Sequence, residues 1–151
     1  VIWDLGAHDI SILTYLLNKQ PHSVKTIKRY SLGKSLCDCA YINLVYKNNL
    51  KVLIKNSWIS PTKIRLIKIK LKHAIIYCDE NESIHKIKIY KRKSKHIADK
   101  YNLIVPEIDL NEPLSKLVKY IYLSIKNNTN ELFENKINEK ITLLLEKIDN
   151  S

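Results

Sequence analysis

The chain has 151 residues and reads as a single domain, residues 1–151, long enough to bury a core without disulfide or metal staples. Apolar residues supply 45% and charged residues 27%, the balance of a soluble globular protein, and no apolar run is long enough to span a membrane. A net charge of +11 invites nucleic acid, yet only Arg29, Arg65 and Arg92 among the 26 basic residues are arginine, the usual reader of phosphates and base edges. Lysine, isoleucine and asparagine are abundant together, a pattern that reads as genome-wide bias, so the charge argues against a nucleic-acid partner.

The opening VIWDLGAHD lacks the basic-then-apolar order of a signal peptide, so none is expected. Residues 7–18 carry a broad helical stripe of Ile10, Leu13 and Leu17 with Ile12 and Leu16 beside it. Asp9 and Ser11 suit the positive start of that helix, and Gln20-Pro21 is expected to stop it. From about 23 to 92 the period falls to two. A strand is expected over 24–30, then a loop with Gly33, then a strand with Ala40, Ile42, Leu44 and Tyr46 on one face. Lys47-Asn48-Asn49 predicts a hairpin, because asparagine tolerates the left-handed conformation. Leu50, Val52 and Ile54 return on the next strand, which runs to Trp58 before Ser60-Pro61 breaks it.

Ile67, Ile69 and Leu71 alternate with Lys68, Lys70 and Lys72; after a turn near 72–74 comes AIIYCD, and Ile87 and Ile89 then alternate with Lys86 and Lys88. This is the pattern of a half-buried antiparallel sheet whose lysines discourage edge-to-edge pairing. Residues 93–106 read as a polar connection. A helix is expected from Glu112-Pro113 to Asn127-Asn128, with a stripe of Leu114, Leu117, Val118, Ile121 and Ile125. A last helix over about 131–148 has Ile137, Ile141, Leu144, Leu145 and Ile148 as its stripe. The order gives an α+β fold: a mostly antiparallel open sheet with helices packed on one face.

Cys37, Cys39 and Cys78 cannot all pair within one chain, and their spacing does not fit a zinc knuckle; free thiols in a reducing cytoplasm are expected. His73, His85 and His96 share no metal-ligand spacing. With only Gly6 and Gly33, neither a dinucleotide-binding glycine loop nor a P-loop can be drawn. The segment with chemistry is Trp3-Asp4-Leu5-Gly6-Ala7-His8-Asp9. In a helix starting near Asp4, Asp4 and His8 share a face, and a carboxylate beside an imidazole suits a proton-transferring histidine. From spacing alone, Asp4 could equally be a helix cap and His8 an ordinary interfacial histidine. Asp9 and His22 read as surface residues, and Trp58 as a packed residue where a strand turns a corner.

The segment IWDLGAHDISILTYLLNKQPHSV resembles the first long helix of the second domain in the glucose–fructose oxidoreductase / inositol dehydrogenase (Gfo/Idh/MocA) family, with its D-x-G-x-H pattern, apolar helix and Val-led strand. The likeness continues through YINLVYKNNLKVLIKNSWISPTKIRLIKIKLKHAIIYCD; VPEIDLNEPL resembles the segment leading into the penultimate helix, and LLLEKIDNS resembles the closing helix. The resemblance implies that Asp4 and His8 project into a substrate cleft. His8 would exchange a proton with a sugar hydroxyl, and Asp4 would orient His8 or the substrate. It also implies NAD or NADP as cofactor, bound by a Rossmann half that this chain does not carry, hence no cofactor binding by the chain alone.

Departures from the family pattern are equally specific. Two glycines expected in the hairpin after Arg65 are Leu71 and Ala74, so a turn needing positive φ would be strained or remodelled. The Asp-Gly before the last helix is missing around Leu132-Phe133. The expected function is the substrate-binding and assembly domain of a sugar or sugar-nucleotide dehydrogenase, with a separate Rossmann-domain polypeptide as a partner. The alternative is a non-catalytic interaction module of the same descent. Homo-oligomerisation through the sheet is the family habit, but repeated lysines on an uncovered face would repel a like copy.

Overall fold

A computed structural model describes residues 1–33, 35–93, 101–108, 113–127 and 135–151. The expectations resting on His96, Glu112, Asn128, the Leu114 side chain and residues 131–134, Leu132-Phe133 included, lie outside them. The chain divides into two compact units, Val1–Ser60 with Asn127–Ser151, and Pro61–Lys126.

The first unit opens with a π-helical turn, Ile2–Gly6, closed by the Gly6 N–H donating to the Val1 carbonyl at 3.3 Å. It runs directly into helix α1, Ala7–Leu17. Ile10 and Thr14 are the buried residues of α1, whereas Leu16 of the expected stripe is exposed. Helix α1 ends earlier than Gln20-Pro21 suggested. Asn18 takes the left-handed conformation (φ 45°) and its N–H donates to the Thr14 carbonyl at 2.9 Å, which satisfies one of the last orphan carbonyls.

Strands β1 (Ser23–Arg29), β2 (Cys39–Val45) and β3 (Lys51–Ser57) follow, antiparallel and in that spatial order. The β2–β3 hairpin forms as the asparagines demand: Asn48 and Asn49 have φ 63° and 59°, and the Tyr46 N–H donates to the Leu50 carbonyl at 2.8 Å. The buried face of β2 is Ala40, Ile42 and Leu44, continued by Tyr46. Ile42 and Leu44 pair with Ile54 and Val52 of β3; Leu50, expected on that face, is exposed. A helix from the carboxy end, Asn135–Asp149, packs against α1 and β1 and supplies Leu144, Leu145 and Ile148 to the core. The core is therefore built by the helices on one face of this sheet, as the α+β reading requires. Thr26 Oγ1 donates to the Ile148 carbonyl at 2.9 Å, and Lys28 bonds Asp149, so β1 holds the last helix turn.

The second unit contains a separate antiparallel sheet of β4 (Leu66–Lys70), β5 (Ala74–Asp79), β6 (Ile87–Arg92) and β7 (Tyr101–Ile104). Strand β7 lies inside what the sequence suggested was a polar connection; Tyr101-Asn-Leu-Ile is too short for its periodicity to register, and pairing with β6 makes it a strand. The hairpin lacking its glycines is remodelled: among the described residues, positive φ occurs only at Asn18, Asn48 and Asn49, and the β4–β5 turn closes with the Leu71 N–H donating to the Ala74 carbonyl at 2.8 Å. The remaining helices are numbered in chain order, α2 (Pro113–Lys126) and α3 (Asn135–Asp149). Helix α2 forms where expected, but Leu117, Val118, Ile121 and Ile125 of its stripe are exposed. Amphipathic spacing established the helix; it did not guarantee a surface to bury it.

Candidate active site at the amino-terminal helix

Asp4 lies in the π-turn and His8 in the first turn of α1, and both side chains are exposed. The shared segment places them on one stretch of surface, although among the described residues no hydrogen bond joins them. Asp4 is held by a residue that the sequence assigned to packing: the Trp58 indole Nε1–H donates to Asp4 Oδ2 at 2.9 Å, with Trp58 42% exposed. The Trp58 backbone is fixed in turn, because its N–H donates to the Asp38 carbonyl at 2.9 Å. Asp38 itself is fully buried. Its Oδ2 accepts the Leu32 N–H at 2.6 Å, and its Oδ1 has no hydrogen-bond partner among the described residues. The signal for this arrangement was the Ser57-Trp58 strand end, which the expectation of a packed corner absorbed.

Asp9 is also more than a surface residue. It is partly buried, and Asn56 Nδ2 donates to its Oδ2 at 2.7 Å. Asn56 comes from the buried face of β3, and its Oδ1 is enclosed without a donor among the described residues. Gly6 makes room for it: a Cβ there would sit 3.3 Å from Asn56 Oδ1, so glycine in the Asp4-x-Gly6-x-His8 segment allows close approach of β3. The segment is thus clamped from the same strand end at two points, Trp58 on Asp4 and Asn56 on Asp9. His22, in contrast, is exposed and uses its backbone N–H to bond the Val45 carbonyl.

At the far end of the π-turn's surface, the Trp3 Nε1–H donates to Asp149 Oδ2 at 2.9 Å, and Lys28 Nζ bonds Asp149 Oδ1 at 2.8 Å. The Lys28 hydrogen bond, and then the Trp3 one, hold the Asp149 carboxyl below its ordinary range. Three anchors (Trp3, Trp58 and Asn56) therefore fix the helix start that presents Asp4 and His8.

A dinucleotide cradle does not fit this chain. Pyrophosphate binding uses glycines that let backbone N–H groups approach at a helix start. Here Gly6 is occupied by its contact with Asn56, and Gly33 lies in an open loop. Among the described residues, no group of three His, Cys, Asp or Glu side chains could hold a metal ion, and no helix is long and apolar enough to cross a membrane.

Comparison with known proteins gives this geometry a family. Residues 1–80 match the family model of the GFO/IDH/MocA C-terminal domain. This chain belongs to that family. Among solved structures it is similar to UDP-N-acetylglucosamine 3-dehydrogenase GnnA from Acidithiobacillus ferrooxidans, at 15% identity and a TM-score of 0.75, covering 99% of this chain and 46% of that one. It is also similar to an NAD-binding protein from Listeria innocua, at 16% identity and a TM-score of 0.74, covering 99% of this chain and 48% of that one. At these identities the likeness establishes the fold, and the chain spans about half the length of the proteins it resembles. No curated protein matches the sequence.

Proposed function

We propose that this chain is the substrate-binding half of an NAD(P)-dependent dehydrogenase acting on a sugar or sugar nucleotide, working in the cytoplasm. The observation that carries the reading is the clamped Asp4–His8 segment, exposed at its tip and fixed by Trp58 and Asn56 beneath. Family membership and the similarity to a sugar-nucleotide dehydrogenase support the substrate class. The three free thiols support a reducing compartment.

Oxidising an alcohol requires the hydroxyl proton to leave to a base. His8 is that base, and Asp4, with one oxygen engaged by Trp58, orients His8 or the substrate hydroxyl. The nicotinamide supplies the hydride chemistry and is held outside this chain's residues, by further sequence or by a separate Rossmann-domain polypeptide. Assembly into homo-oligomers, through a sheet face that does not carry the lysine rows, belongs to the same proposal. A second reading, a non-catalytic interaction module, is favoured by the exposed apolar side chains of α2.

Calorimetry separates the readings in two steps. Titration of the chain with NAD and with NADP is expected to show no binding, and addition of the cofactor-binding half is expected to restore sugar oxidation. Tight cofactor binding by the chain itself would overturn the division of labour. An assembled complex with no turnover on any sugar or sugar nucleotide would favour the interaction module.

A further inference from the structure

The second sheet segregates its charge. Side chains alternate between faces along each strand, and the registers bring Lys68, Tyr77 and Lys88 into one row across β4, β5 and β6. The next row on that face is Lys70, Ile75, Tyr90 and Leu103. Arg92 follows Lys88 and Tyr90 on the same side of β6, paired with Tyr101. The opposite face carries isoleucines instead: Ile67 and Ile69, Ile76, Ile87 and Ile89. Lysines alternating with isoleucines in the sequence therefore become one basic, tyrosine-bearing face and one aliphatic face.

The basic face holds a shallow depression of about 470 Å³, with Tyr77, Tyr90 and Tyr101 in its lining and Lys86 and Lys88 beside them. Leu66 and Leu103 on this face are 48% and 53% exposed. Acidic groups lie here too: Asp79 lines the depression, and Glu82 from the β5–β6 turn bonds Lys88 at 2.9 Å. The tyrosines are organised among themselves and the cations. Lys68 Nζ sits 4.9 Å from the Tyr77 ring centroid, and Tyr77 meets Tyr90 edge-on at 5.6 Å and 82°.

We infer that the Lys68–Tyr77–Lys88 face of the second sheet is a docking surface for an acidic protein segment, one carrying carboxylates around an apolar centre. Charge complementarity selects this occupant. A second copy related by a two-fold axis would lay the face on itself and set lysine against lysine, which is repulsive. Single-stranded nucleic acid needs aromatic rings open for parallel stacking. Here one side of Tyr77 carries Lys68 and Tyr90 meets it at a right angle, and the cations other than Arg92 are lysines. Carboxylates reach lysines without a fixed fork geometry, and tyrosine is enriched where proteins meet.

The test uses the whole chain and three probes: a synthetic peptide of alternating glutamate and leucine, oligothymidylate, and the chain itself in sedimentation. Amide chemical shifts locate binding. The peptide is expected to perturb β4–β6 selectively, with affinity that falls as salt rises. Lys68→Glu with Lys88→Glu is expected to weaken it on the order of tenfold or more, while circular dichroism stays that of the parent. Lys19→Glu with Lys147→Glu removes equal charge from the first unit and is expected to leave binding unchanged. Equal loss in both double variants would mean bulk charge alone and overturn the proposal. Tighter binding of oligothymidylate at this face, or a chain dimer dissociated by the Lys68/Lys88 substitutions, would overturn it as well.

Discussion

The two units are made from similar alternating sequence, yet they use it differently. In the first, Ile42 and Leu44 of β2 are fully buried under Ile10, Leu144 and Ile148. In the second, the strand residues of β5 are all partly exposed, and among the described residues only Ser124 is buried. Alternation marks a strand in both; burial depends on whether helices lie over it. The first unit is consequently the rigid frame on which a site can be positioned. The second offers surface, which suits binding more than chemistry.

The largest effect that would break this contrast comes from truncating equivalent isoleucines. Ile42→Ala should cost about 2–5 kcal/mol, as a filled core site does, whereas Ile76→Ala, partly exposed in β5, should cost about 1 kcal/mol or less. Denaturant titration of the two variants checks this, and equal losses would erase the distinction between the units. The hairpins supply the next test. Asn48→Ala forces alanine into a left-handed position and should cost about 1 kcal/mol, while Asn48→Gly should cost little. Lys72→Gly, in a turn without positive φ, should gain nothing; a rise in melting temperature there would mean that the remodelled turn is strained after all.

Smaller still is the Asp149 contribution. Its carboxyl is depressed on folding, chiefly by Lys28 and then by Trp3. The folded state therefore binds this proton less readily than the unfolded chain does. The stability it adds is full above the ordinary carboxylate range and is lost as pH falls through that range towards the folded value. With the side chain 40% exposed, screening limits the contribution to about 0.2–1 kcal/mol. Thermal melts of Asp149→Asn should show a smaller acid-induced loss than the parent, and parallel curves would remove the role. The smallest effect is kinetic. Burial, then the charges of Glu80 and Asp79, push the Cys78 thiol above its ordinary pKa. Its alkylation near neutrality should be slow, and Glu80→Gln should speed it modestly.

Much of the fold was legible because its signals are local. The lysine alternation placed β4 and β6, the asparagine pair placed the β2–β3 hairpin, and the Leu144–Ile148 stripe placed α3 in the core. Strand β7 was not legible, since four residues carry too little periodicity, and neither was the bareness of α2, since a helix stripe does not say what covers it. The site divides in the same way. Asp4 and His8 stand out as candidates through the resemblance of their segment, since spacing alone leaves them open to a capping and an interfacial role. Their supports could not: Trp58 reaches Asp4 across 54 residues, Asn56 reaches Asp9 across 47, and Trp3 reaches Asp149 across 146. Tertiary folding creates these contacts, and the absent side chain of Gly6 leaves room for Asn56.

On the function proposed above, this clamped segment presents His8 as the base of an alcohol oxidation. The most direct measurement is the pH dependence of kcat/KM for sugar oxidation by the complete enzyme, the chain together with its cofactor-binding half, with and without His8→Ala. The parent is expected to show an acid limb that disappears in the variant, with kcat lowered on the order of 10²–10⁴-fold and circular dichroism unchanged. An unchanged rate and pH profile in His8→Ala would contradict it.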